Sequence, residues 1–275
     1  MTEGLQGKAA RAFRSQACLK FAATIDENKV PNVVPLLSAR MTDPGTMAFV
    51  RFMVWKTRRN FESNGRITFA CRGPRGRAYV ARCTFDRWVT EGPLLEEFER
   101  EPIYRYNAYS GANQVGVVKV RDVMVYKTER YVRSLASPLR SANKRTGAGG
   151  RMPLQVVEKW ARPLASKFLG IVDDEGFPLA IPHPGLFARD GDTLLFSLPR
   201  DDRHPLRRVA TGETIAASVL TREPSSYQVK GRYAGTASRN GKPVGVMEVN
   251  EVYTAAPPVP GKRIYPPEPL PGVAY

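Results

Sequence analysis

The sequence predicts a mainly β protein: two tandem six-stranded small barrels with a few short helices. Three observations lead there. The chain repeats itself at a near-constant offset, each copy carries six short runs rich in β-branched and aromatic residues, and helical periodicity is confined to short stretches. Short strands at regular spacing favour closure, because a closed sheet has no exposed edges.

The repeat is the firmest of these signals. At an offset of 147 residues (168 less 21), Phe21 falls on Phe168, Asp26 on Asp173, Pro31 on Pro178 and Pro35 on Pro182. The same offset puts Asp43 on Asp190, Thr46 on Thr193, Phe49 on Phe196, Gly65 on Gly212 and Ala70 on Ala217. Hydrophobic character matches as well. VGVVKVRDV at 115–123 then pairs with VGVMEVNEV at 244–252, an offset of 129 (244 less 115). The first copy therefore carries 18 extra residues (147 less 129) within the segment 88–113. The domains read as 8–133 and 153–255, joined by a basic Gly/Ser linker at 134–152. A Pro-rich tail at 256–275 is expected to run extended along the surface.

In the first copy the strands are KFAATI, PNVVPLL, TMAFVRFMV, RITFACR, AYVARCTF and VGVVKVRDVMVY. The second copy answers with KFLGIV, PLAIP, TLLFSL, TIAASVL, SYQVKGRYA and VGVMEV. DEN and DDEG sit at equivalent places and read as hairpin turns. Helices are expected in GKAARAFRSQACLK and LQVVEKWARPLASK, each ahead of its copy's first strand. TRRNFES reads as a short helix ended by Asn64-Gly65, where Gly supplies a left-handed cap, and PLRRVAT as its counterpart ended at Gly212. In the extra segment LLEEFERE reads as an amphipathic turn or two stopped by Pro102.

The candidate site is the junction of the third strand with that short helix. The apolar strand is expected to end at Trp55, and Lys56, Thr57, Arg58, Arg59 and Asn60 follow at once. A helix start offers unpaired N–H groups and the positive end of the dipole, which suits a phosphate. Cations oppose that dipole, so a purely structural helix would rather carry carboxylates there. The second copy repeats the plan with Ser197, Arg200, Arg203, Arg207 and Arg208. Asp201 and Asp202 would repel an anion there, so the first copy is expected to bind better.

FAATIDENKVPNVVP at 21–35, KTRRNF at 56–61 and NGRITF at 64–69 resemble the pyridoxamine 5′-phosphate oxidase-like FMN-binding split barrels. FLGIVDDEGFPLAIP at 168–182 is similar to the same module, making the chain a tandem duplication of split β-barrels. The resemblance implies FMN in a groove between two barrels, with its phosphate on Lys56, Thr57, Arg58 and Arg59 and with Asn60 opening the helix. It further implies that Asn32, Val33 and Pro35 of the second strand, and Thr68 and Ala70 of the fourth, flank the isoalloxazine. It also implies alternatives: relatives bind F420 or haem, or hold flavin without turnover. The implied activity is an FMN-dependent oxidoreductase passing a hydride through flavin N5 to or from a small organic substrate. No catalytic side chain is expected, since the cofactor carries the chemistry.

Tyr104, Arg105, Tyr106, Asn107 and Tyr109 of the extra segment form a polar and aromatic strip that suits a small, anionic substrate. Packing of the segment on its own barrel would explain the same composition. A formal net charge of +16 admits nucleic acid, but no zinc-finger or RNP-type pattern accompanies the charge, so such a partner is not expected. No apolar run approaches the roughly 20 residues that span a bilayer, so no membrane partner is expected. The basic start has no apolar h-region, and the cytoplasm is the expected compartment. Three cysteines without a CxxC pair argue against a disulfide framework, and Cys71 and Cys83 read as buried small hydrophobes. His183 and His204 are too few for a metal site. An intrachain pseudo-dimer is expected, with a further homodimer left open.

Overall fold

A computed structural model describes residues 5–51, 54–73, 76–101, 114–128, 150–239, 241–256 and 259–268. The first repeat opens with α1 (Gly7–Arg14), followed by β1 (Lys20–Ile25), β2 (Pro31–Pro35), β3 (Arg40–Asp43) and β4 (Thr46–Val50). It continues through α2 (Trp55–Asn64), β5 (Arg66–Arg72), β6 (Arg77–Val89), α3 (Pro93–Glu99) and β7 (Val115–Lys127). The second repeat has α4 (Leu154–Ala161), β8 (Ser166–Val172), β9 (Pro178–Pro182), β10 (Leu186–Ala188) and β11 (Thr193–Ser197). A 3₁₀ turn (Pro205–Arg207) leads to β12 (Thr214–Leu220), β13 (Ser226–Arg239), β14 (Lys242–Thr254) and β15 (Arg263–Tyr265).

The strand orders repeat from one sheet to the other. One sheet runs β2-β1-β5-β6-β7-β4-β3, the other β9-β8-β12-β13-β14-β11-β10, which is the same path with every strand replaced by its counterpart. Each path has seven strands rather than the expected six. The additional pairs β3–β4 and β10–β11 are hairpins whose first strands are only four and three residues long. In β3 a polar RMTD ahead of Pro44 gave no β signal, and pairing with β4 supplies what propensity lacked. The fold is mostly β, and the second sheet curls as a half-barrel. By contacts the chain divides into Met1–Lys127 with Val172–Ile181, and Thr128–Ile171 with Pro182–Tyr275.

Side-chain details recur as well. Asp26 Oδ1 accepts from the N–H groups of Asn28 and Val30, and Asp173 Oδ1 from those of Glu175 and Phe177. The left-handed position of that turn is Lys29 in one copy and Gly176 in the other. Phe49 pairs with Gly116, and Phe196 with Gly245. Both β-bulges of β6 (after Arg82 and after Phe85) have counterparts in β13, after Lys230 and after Tyr233. These registers put β5 and β6 at an offset of 148 (230 less 82), one more than β1 and β4. The second copy thus holds one extra residue between β11 and β12, relative to the stretch between β4 and β5. The structural counterpart of Ala70 is therefore Ser218, so the identities Gly65–Gly212 and Ala70–Ala217 are displaced by one position. The first copy's surplus becomes 19 residues (148 less 129).

The core of the first unit gathers Phe13, Ala22, Met47, Phe49, Phe61, Ile67, Phe69, Cys71 and Cys83, all buried. Phe61 stands edge-on to Phe49 at 5.8 Å, and Phe85 and Trp88 extend the cluster. Trp88 and Val89 belong to β6 rather than to the extra segment. α3 begins with Pro93 at its first turn and seats Leu95 and Phe98 against Ala48, Val50 and Val115, as the amphipathic pattern required. Arg40 stacks over Phe98 at 3.7 Å and pairs with Glu97 and Glu101. The counterpart of α2 in the second copy is reduced to one 3₁₀ turn, because Pro199 and Pro205 interrupt any longer helix. Within the tail, Arg263–Tyr265 pairs with β14. Linker residues 134–149 and residues 102–113 and 269–275 lie outside the described residues.

Candidate functional site

β4 ends at Val50, and α2 begins at Trp55, so Trp55 is the first helical residue rather than the strand's end. The N-cap is Val54, whose side chain cannot accept a hydrogen bond, and the first turn holds no carboxylate. The helix start therefore keeps its N–H groups and its positive dipole end without a side-chain cap. At the other end Gly65, with φ 71°, closes the helix by donating its N–H to Phe61 O, as the Asn-Gly signal predicts.

The helix divides its side chains by face. Thr57, Asn60 and Phe61 are buried; Trp55, Lys56 and Arg59 are exposed. The inward polar pair enters a closed network. Asn32 Nδ2 donates to Thr57 Oγ1 at 3.1 Å and to Thr24 Oγ1 at 3.3 Å, and Asn60 Nδ2 donates to Thr24 Oγ1 at 3.0 Å. Asn64 Nδ2 donates to Ile25 O at 2.9 Å. These bonds fasten α2 to the β1–β2 hairpin. Thr24 had no sequence signal, because only the folded register puts it between Asn32 and Asn60.

The cations have distinct surroundings. Lys56 Nζ lies 3.8 Å from Asp26 Oδ2, at a pair that is substantially exposed on the lysine side. Arg58 Nε donates to Glu62 Oε1 at 2.7 Å, and its guanidinium lies 5.3 Å from the Trp88 ring centre. Trp88 Nε1 donates to the same oxygen at 2.7 Å. Burial pushes the Glu62 carboxyl up, but the bonds from Trp88 and Arg58 outweigh it and hold it below the usual range. Arg59 is exposed and, among the described residues, takes part in no ion pair.

The strand residues come together in two rows. β1 lies between β2 and β5, so Val33, Ala23 and Thr68 align across three strands, and Pro35, Phe21 and Ala70 form the next row on the same face. Asn32 alternates to the opposite face, where its network lies. Val33, Thr68 and Ala70 are fully buried, whereas Pro35 is half-buried. Thr68 Oγ1 donates to Pro178 O.

In the second copy Ser197 Oγ is 3.2 Å from His183 Nε2. His204 Nδ1 accepts from Leu206 N–H and so already caps the 3₁₀ turn. Burial, then the neighbouring His204 and Lys167, pushes His183 down to about 3; burial, opposed by Asp201, takes His204 to about 4. Both imidazoles are neutral near neutral pH. Arg207 Nε donates to Pro199 O at 2.7 Å and lies 3.9 Å from Asp202, while Arg200 and Arg203 are exposed. Tyr104, Arg105, Tyr106, Asn107 and Tyr109 lie outside the described residues. Among the described residues no cluster of His, Cys, Asp and Glu could hold a metal, and no helix is long and apolar enough to cross a membrane.

No family model and no curated protein matches the chain. Among solved structures it is similar to HupZ of Group A Streptococcus, at 25% identity over 43% of this chain and 90% of that one, with a TM-score of 0.35. It is similar to an FMN-binding protein from Syntrophomonas wolfei, at 16% identity over 44% and 83%, with a TM-score of 0.36. It is also similar to an F420 reductase, at 17% identity over 44% and 97%, with a TM-score of 0.34. The matches include members of the pyridoxamine 5′-phosphate oxidase-like FMN-binding split-barrel superfamily, the group that the motifs resemble.

Proposed function

We propose that the chain binds FMN through the start of α2 and acts as an oxidoreductase of the pyridoxamine 5′-phosphate oxidase-like type, each repeat being a split barrel. The observation that carries this reading is the uncapped, carboxylate-free start of α2 with Lys56 and Arg59 exposed beside it. A phosphate there would meet open N–H groups, the dipole and two exposed cations. The exposed pair with Asp26 leaves Lys56 able to turn to an anion, since such pairs contribute little. Arg58 stays with Glu62 and Trp88 and acts as a support. Thr57 and Asn60 hold the helix on its hairpin and thereby fix the direction of its N–H groups. Of the aligned strip, Pro35 keeps exposed surface and is the residue able to meet a flat ring directly.

FMN, once bound, supplies hydride transfer at its N5 atom; the chain supplies binding, orientation and a positive field. The second copy supports the choice of site by contrast. Its turn is capped by His204, whereas the start of α2 has no side-chain cap. Tyr104, Arg105, Tyr106 and Tyr109 remain the proposed substrate residues, for a small and anionic or carbonyl-bearing compound.

The test is absorbance of the freshly purified chain, followed by mass analysis of the released ligand and reduction by a nicotinamide donor. A flavin spectrum, an FMN mass and bleaching on reduction support the proposal. A Soret band, a deazaflavin mass or a colourless protein that carries nucleic acid overturns the cofactor. Bound flavin that no donor reduces overturns the activity and leaves a flavin carrier.

A further inference from the structure

The tip of the β8–β9 hairpin comes from the second repeat, yet by contacts Val172–Ile181 belongs to the first unit with Met1–Lys127. There it meets a face built by β5, β6 and β7, in which Thr68 pairs across with Arg82 and Arg82 with Asp122. Phe177 is buried, and the guanidinium groups of Arg66, Arg82 and Arg121 lie 5.2, 5.2 and 5.0 Å from its ring centre. Arg82 Nη1 lies 3.0 Å from Asp173 Oδ2 and 3.1 Å from Glu175 Oε1, while its Nη2 lies 2.8 Å from Asp122 Oδ2. Arg121 Nη2 lies 3.0 Å from Glu175 Oε2. Arg66 Nη1 donates to Gly176 O at 2.7 Å and to Glu175 O at 3.3 Å, and Thr68 Oγ1 donates to Pro178 O.

The matched residues of the other copy differ on both sides of this contact. At the offset of 148, Thr214 and Ala216 stand where Arg66 and Thr68 do, and at 129 Asn250 stands for Arg121. At 147, Asn28, Lys29 and Val30 stand for Glu175, Gly176 and Phe177. Gly176 has φ 75°, and a Cβ on it would stand 2.7 Å from Arg66 Nη1. Lys29 holds the same left-handed position at φ 59°. A lysine at 176 would therefore suit the turn but drive its stem and its charge at Arg66.

We propose that this face of the first unit is a recognition surface for an acidic, aromatic hairpin, selecting residues 173–178 over the matched hairpin 26–31. Glu175 neutralises two arginines that Asn28 could not, and Phe177 offers three guanidinium groups a ring face that Val30 lacks. Gly176 permits the approach of Arg66 that Lys29 would block. Two of these differences withdraw attraction and the third adds repulsion, which is how an interface separates two similar partners. The exposed pair of Arg121 with Glu175 contributes little alone. The enclosed ring and the bonds from Arg66 to two carbonyls fix the fit. The surface thus directs the first unit to the second repeat's hairpin, and Thr68 serves that hairpin. The inference is independent of the flavin reading, so either can fail alone.

Hydrogen exchange of the full chain without added flavin, read by mass spectrometry of its peptides, tests this. The variants carry residues that the matched hairpin or the matched strand already holds. Gly176→Lys should speed exchange in residues 173–181 by on the order of tenfold or more and leave residues 26–35 unchanged. Adding Arg66→Thr to Gly176→Lys should recover part of the protection, because the lysine then meets neither the guanidinium nor its charge. Phe177→Val should also speed exchange in 173–181, and it decides alone should Gly176→Lys fail to fold. Unchanged exchange in 173–181, equal acceleration in 26–35, or no recovery on adding Arg66→Thr overturns the proposal.

Discussion

Phe49 lies directly across the sheet from Gly116, and a methyl group at that glycine would stand 2.5 Å from the ring's Cζ. Phe196 and Gly245 repeat the arrangement at 2.4 Å. In the first unit the aromatic core of Phe61, Phe69 and Trp88 is assembled around that ring. Gly116→Ala should therefore cost about 1–3 kcal/mol, the usual penalty of overpacking a filled core. Urea unfolding measures it. Phe49→Leu in the same chain should recover part of the loss, and strict additivity would show that the two do not meet.

The buried network and the exposed cations of α2 should separate cleanly by stability. Asn32→Ala removes the donor shared by Thr24 and Thr57 and should cost about 1–3 kcal/mol. Arg59→Ala should stay within about 0.5 kcal/mol. Equal effects in thermal or urea unfolding would mean that the network is not fastening the helix.

Ligand binding should show the reverse ranking. Lys56→Ala combined with Arg59→Ala should weaken FMN binding by on the order of a hundredfold or more, since each charge-assisted bond contributes about 1.5–3 kcal/mol and about 1.4 kcal/mol is tenfold. Arg203→Ala with Arg207→Ala should leave the affinity near wild type. Fluorescence titration with FMN reads both. A loss confined to the second pair would transfer the phosphate site to the second copy.

Acid should destabilise the second unit through its histidines. His183 and His204, at about 3 and about 4, stay neutral when folded below the 6.5 of an ordinary histidine. The unfolded chain binds the protons first, so stability is intact above about pH 6.5 and falls as pH drops toward the folded values. Unfolding followed between neutral pH and about pH 5 should show this slope. His204→Gln should reduce it, and an unchanged slope would exclude His204 as a source.

Much of the architecture was readable from the residues in order. The repeat, the β-rich character, the left-handed cap at Gly65 and the anchoring of α3 through Leu94, Leu95 and Phe98, the first of them only partly buried, all follow from local chemistry, which acts over a few residues and leaves a pattern in the chain. The counterpart turns after Asp26 and Asp173 follow for the same reason. Tertiary structure decided what depends on strand pairing. It made strands of Arg40–Asp43 and Leu186–Ala188, shortened the second copy's helix to a 3₁₀ turn, and moved the offset to 148 across β5 and β6. It also sorted the candidate phosphate residues: Thr57 and Asn60 turn inward to Thr24 and Asn32, and Lys56 and Arg59 remain outside. A sequence records which residues alternate or cap. The partner across a ladder is fixed by register, and register comes from burying one whole face against a core.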